Sequence, residues 1–199
     1  MLKTCIKHPA WLFSITLLLS ACAGMSTPPQ PEVSPAVSQA YQAALAAMKA
    51  GKDKVAISQF KQIASTNPTL AGPHTNLGIL YIKADALADA EQALLKAVEL
   101  NPQSKLAYNY LGIVYRQQGR FDDAEKAYLG AIKIDSNYSY AHLNLGILYD
   151  LYKSDLPKAL SHYQTYLGLT DKPDKMVEKW ILDLKRRDTA TSTPEEKKG

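Results

Sequence analysis

Two cysteines, four histidines and one short run of acids are the side chains through which this chain would do thiol, metal or acid–base chemistry. Their placement argues against most of it. A shared metal ion needs donors that converge on bonds of about 2 Å. His74 and His142 occupy the same position of an internal 34-residue period, two periods apart. His162 is expected to have no nearby Cys or second His, and His8 lies close to the start. Asp122, Asp123 and Glu125 look like a paired-acid site, but they fall in the first turn of an expected helix, where negative charge is favourable. No glycine-rich phosphate loop, HExxH or GxSxG occurs. These residues imply no catalysis, no metal and no cofactor.

The cysteines have a different logic. Residues 1–9 carry Lys3 and Lys7 and no acid; Trp11 to Leu19 is a short run dominated by apolar residues, followed by the small Ser20 and Ala21. A basic start, a short apolar core and a small-residue exit form a secretory signal. The run is well short of the roughly 20 residues that span a membrane. Leu19-Ser20-Ala21-Cys22 resembles the lipobox of bacterial lipoproteins. That resemblance implies cleavage before Cys22 and acylation of Cys22 with diacylglycerol and a further acyl chain such as palmitate. Ala23 follows, without the Asp that retains enterobacterial lipoproteins at the inner membrane, so the resemblance points to the outer membrane, on its periplasmic face. Cys5 would be removed, leaving Cys22 as the lipid carrier and no thiol for a disulfide or a nucleophile.

Composition bounds the rest. The chain has 199 residues, 46% of them apolar and 21% charged, which suits a foldable globular chain. The formal charge of +4 becomes 4 − 2 = +2 without Lys3 and Lys7, too little for a nucleic-acid footprint. Lys185-Arg186-Arg187 and Glu195 to Lys198 read as solvated charge runs. Twelve Tyr against three Phe suggest half-buried aromatic positions.

The elements follow from the period. Asn76-Leu77-Gly78, Tyr110-Leu111-Gly112 and Asn144-Leu145-Gly146 recur every 34 residues, with Tyr81, Tyr115 and Tyr149 three positions after each Gly. Ala90 and Ala124, Leu94 and Tyr128, and Ala97 and Ala131 continue the register, and Pro102 ends its block. The pattern resembles the tetratricopeptide repeat over about residues 37–170. It implies an all-α solenoid of about four helix-turn-helix repeats, here with a C-terminal capping helix. The expected helices are 37–50, 53–66, 71–84, 87–100, 105–118, 121–134, 139–152 and 155–169, then one amphipathic helix at 174–187 carrying Met176, Val177, Trp180, Ile181 and Leu184. Gly78 and Ala90 are small where paired helices cross closely. The fourth block needs one inserted residue near Lys153-Ser154, with Asp155 as N-cap and Pro157 in the first turn. The expected organisation is a signal at 1–21, acylated Cys22 with a Pro-rich linker at 22–36, the array at 37–170, the cap at 171–187 and a disordered tail at 188–199.

In this repeat family the first helices line a concave groove. The resemblance carries that role to Thr75, Asn76, Ile79, Ile82 and Lys83; to Asn109, Tyr110, Ile113, Arg116 and Gln117; and to Tyr140, Leu143, Asn144, Ile147 and Asp150. The three Ile form an apolar stripe that either receives a partner segment or packs between helices. Asn76 and Asn144 either bind a backbone or reflect the repeat itself. Tyr41 and Leu45, or Thr75 and Ile79, stand where a carboxylate clamp has Lys and Asn, so no clamp activity is implied. The expected role is a membrane-anchored periplasmic scaffold binding protein partners of the cell envelope, in assembly of a pilus or secretion machine. The alternatives are an adaptor for cell-wall hydrolases, a glycan-binding lipoprotein, an accessory of energised transport, or a structural spacer.

Overall fold

The computed structural model describes residues 33–192. The signal segment, Cys22, most of the linker and residues 193–199 lie outside the described residues. The described residues are all-helical: α1 (Pro35–Lys49), α2 (Asp53–Thr66), α3 (Ala71–Lys83), α4 (Leu87–Leu100), α5 (Lys105–Gln117), α6 (Phe121–Ile134), α7 (Ser139–Leu151), α8 (Leu156–Gly168) and α9 (Lys175–Ser192). None is long and apolar enough to cross a membrane.

The turn inside each repeat is written in four left-handed residues. Gly51, Asp85, Gly119 and Ser154 all have positive φ. The spacing is 34, 34 and then 35, which locates the inserted residue at the Lys153-Ser154 turn. Hydrogen bonds return to equivalent carbonyls: Lys52 N to Ala47 O, Ala86 N to Tyr81 O, Arg120 N to Tyr115 O and Asp155 N to Tyr149 O. These bonds close the helix ends as Schellman-type caps do. Between repeats, the NH of Asn67, Asn101 and Asp135 ends the outgoing helix on Ile63, Ala97 and Ala131. Asp135 Oδ1 also accepts from Asn137 N at 2.9 Å, which supplies a turn where Ser136 replaces the usual Pro.

Two ends differ from expectation by more than one residue. Helix α1 starts at Pro35 because the Ser34 hydroxyl accepts from Val37 N and Pro fits the first turn. Helix α9 runs on to Ser192, past the expected stop at 187, with Thr189 Oγ1 bonded to the Lys185 and Arg186 carbonyls. Asp155 does cap α8, accepting from Lys158 N at 3.1 Å. Asp155→Ala is expected to cost about 1 kcal/mol, read as a lower urea midpoint.

Packing explains the small residues. A Cβ on Gly78, Gly112 or Gly146 would stand 2.4 Å from Leu94, Tyr128 or Tyr163 respectively, and all three of those side chains are buried. In the second, third and fourth repeats the two helices therefore meet at a Gly facing a large side chain. Helix α3 also touches α5, and α5 touches α7, so the first helices form one continuous inner row. At the end, Val177, Ile181 and Leu184 join Leu145, Leu148, Tyr163 and Tyr166 in one cluster. Trp180 packs there too, its ring 5.5 Å from that of Tyr163. The cap therefore covers the fourth repeat, as a solenoid end requires. Met176 does not join it and is 57% exposed. Arg187 is no solvated end residue: it pairs with Asp150 of α7 and, at 3.0 Å, with Asp183.

Candidate functional site

The inner row is where the sequence places a partner surface, and the structure sorts its residues into two kinds. Some are committed to holding the helices together. Thr75 is buried and its hydroxyl donates to Ala71 O at 3.2 Å, so it offers nothing to a partner. Asn76 Nδ2 donates to Tyr41 Oη at 2.6 Å and to Gly72 O at 3.0 Å. Asn144 Nδ2 donates to Oδ1 of buried Asn109 at 2.9 Å. Both Asn side chains thus reach back 35 residues to the first helix of the preceding repeat. The Asn before Leu-Gly is a link between repeats, which accounts for its recurrence without a ligand.

The charged positions are engaged as well. Lys83 pairs with Asp53 at 2.7 Å. Arg116 lies 3.4 Å from Tyr128 Oη and 3.5 Å from Tyr152 Oη, with its guanidinium 5.8 Å from the Tyr152 ring centre. Asp150 accepts from Tyr163 Oη at 3.4 Å and pairs with Arg187.

The other kind is apolar and uncovered. Tyr140 is 59% exposed, Leu151 65% and Leu106 41%. Tyr140, Leu143, Ile147 and Leu151 fall on one face of α7 at steps of three, four and four. Leu106 and Ile113 hold the equivalent positions of α5, one period earlier. Ile79, Ile113 and Ile147 are half-buried; Ile113, Leu143 and Ile147 rest on the C-terminal core, so the stripe both packs and shows. Tyr138 stands edge-on to Tyr140, centroids 6.0 Å apart. Burial, then Tyr110 and Tyr140, push the Tyr138 phenol up to about 12, so it remains a neutral hydroxyl. Leu106, Tyr138 and Leu151 were not singled out from the sequence, although Leu106 stands 34 residues before Tyr140 and shares its register.

The acidic run is engaged in ion pairs. Asp122 pairs with Lys153 at 2.7 Å, Asp123 with Arg120 at 3.0 Å, and Glu125 with Lys153. Burial works against the Glu125 carboxylate, yet bonds from Lys153 and Tyr149 hold it below the ordinary Glu value. Among the described residues no three His, Cys, Asp or Glu gather as a metal set. One expectation is corrected: His162 does have a histidine neighbour, because α7 and α8 bring His142 Nδ1 to 3.1 Å from His162 Nδ1.

Residues 75–139 match the tetratricopeptide repeat family. A search of curated proteins found no match. Among solved structures, a crystal structure of MamA is 27% identical, with a TM-score of 0.61 over 67% of this chain and 77% of that one. PilF of Pseudomonas aeruginosa is 20% identical, with a TM-score of 0.71 over 78% of this chain and 70% of that one, a likeness of fold alone. Together with the Gly-to-large contacts and the continuous inner row, these likenesses assign residues 75–139 to the tetratricopeptide repeat family and make the described array a tetratricopeptide-repeat solenoid, an architecture suited to a protein–protein interaction scaffold.

Proposed function

We propose that this protein is a lipid-anchored periplasmic scaffold that binds an envelope protein along the inner faces of α5 and α7 and helps assemble a machine such as a pilus or secretion system. It acts by binding rather than by catalysis. The observation that carries the binding surface is the row Leu106, Tyr140 and Leu151, large apolar side chains that the solenoid leaves exposed beside half-buried Ile113 and Ile147. Exposed aromatic and aliphatic side chains beside a rigid helical floor suit an extended or helical partner segment. The anchor rests on Cys22 and the signal before it. With Ala23 after the Cys, the reading favours the outer membrane, facing the periplasm.

The test is a photo-crosslinker at Ile113 of the full chain in membranes, with Cys22→Ser as the unanchored control. A discrete partner is expected. Tyr140→Ala with Leu106→Ala is expected to cut its yield at least about tenfold, the equivalent of ~1.4 kcal/mol, while the fold is kept. An undiminished yield would remove this surface from the binding account. The Tyr138–Tyr140 pair supports one second reading, sugar stacking on an exposed ring. Tyrosine fluorescence during titration with cell-wall fragments separates it from peptide binding.

A further inference from the structure

His142 and His162 are twenty residues apart, on different helices, yet their Nδ1 atoms lie 3.1 Å from each other. His142 Nε2 is 3.2 Å from the Ser136 carbonyl oxygen in the turn before α7. A carbonyl oxygen only accepts, so His142 Nε2 carries the hydrogen. In the neutral ring its Nδ1 is then bare, and it accepts from His162 Nδ1–H. One proton occupies the space between the rings. A proton added at His162 Nε2 leaves that bond in place and puts one imidazolium charge in the contact; a further one on His142 Nδ1 would set two N–H groups head to head and two imidazolium charges side by side.

The surroundings offer that second charge little. His142 is 8% exposed. The Tyr149 ring of α7 stacks on His162, 5.6 Å between centroids and 14° from parallel. Glu125 of α6 is the nearby anion, but it is engaged by Lys153 and Tyr149. Lys158, one turn earlier on α8, lies 5.0 Å from the Tyr149 ring centre and adds positive potential.

We propose that the His142–His162 contact is an acid-sensitive latch, holding α8 against α7 at neutral pH and releasing it on acidification. Burial first, then His142 and Lys158, with Glu125 opposing, push the His162 imidazole down to about 4. The sign follows from that direction. The unfolded chain takes up the proton near the free imidazole value of about 6.5, before the folded chain does. The latch's contribution is therefore complete above that value and is lost progressively as pH falls toward about 4. Helix α8 carries Tyr163 and Tyr166, on which α9 rests. Helix α7 carries Tyr140, Leu143 and Ile147. Release loosens the fourth repeat, its cap and the end of the inner row. Only the last of these consequences rests on the proposed partner surface.

Thermal unfolding of the full chain between pH 7.5 and 5.0 tests the latch, beside His162→Gln, whose amide donates to His142 Nδ1 but does not titrate. The wild-type midpoint is expected to fall about 5 °C further than that of the variant. The same comparison by NMR of the wild-type imidazoles needs no variant. Two coupled titrations, one well below the free value, are expected. Parallel pH profiles, or two independent titrations near the free value, would overturn the latch. Neither readout involves a partner, so a failure of the binding proposal leaves it testable.

Discussion

Tyr163→Ala is expected to destabilise the chain by about 3–5 kcal/mol, the range for removing a fully buried aromatic ring. The ring is 1% exposed and fills the space above Gly146, whose missing Cβ would stand 2.4 Å from it. It also supports the cap, with Trp180 5.5 Å away in the same cluster as Val177, Ile181 and Leu184. Refilling of the cavity is limited on the side where Gly146 of α7 presents no side chain. Tyr163→Phe keeps the ring and loses only a 3.4 Å bond to Asp150, so it is expected to cost under about 1 kcal/mol. Urea unfolding followed by Trp180 fluorescence checks both. Equal effects from the two substitutions would mean that the hydroxyl, not the ring, holds the cap.

The second large effect is a gain of one methyl. Gly112→Ala would place a Cβ 2.4 and 2.5 Å from two carbons of Tyr128, which is completely buried. Helix propensity alone favours Ala over Gly by about 1 kcal/mol. Overpacking of this kind costs about 1–3 kcal/mol, sometimes more, and here the neighbour is a rigid ring with no room to turn. The clash is expected to win, with a net loss of about 1–2 kcal/mol. Gly168→Ala, at the end of α8, meets nothing within 4 Å and is expected to be neutral or up to about 0.5 kcal/mol stabilising. The same chemical change then has opposite signs at two helical glycines, and paired urea titrations measure it. A stabilised Gly112→Ala would show that the α5–α6 crossing opens more readily than its geometry implies.

The residues of the sequence determined every helix and turn of the array, for a local reason. Leu, Gly and Tyr at fixed steps mark one helical face, and Gly51, Gly119, Asn67 and Asn101 sit where the chain must reverse. Even the inserted residue was legible, because Ala159 is one place out of register with Ala124. The tertiary structure alone decided how side chains meet across repeats. Whether Asn144 faces a partner or Asn109, whether His162 is alone or against His142, and whether Arg187 is solvated or tied to Asp150 all depend on how one helix is rotated against its neighbours. That rotation is set by the packed volumes of Tyr128, Tyr163 and their neighbours acting together. Periodicity names a residue's face, but the superhelix chooses what that face meets.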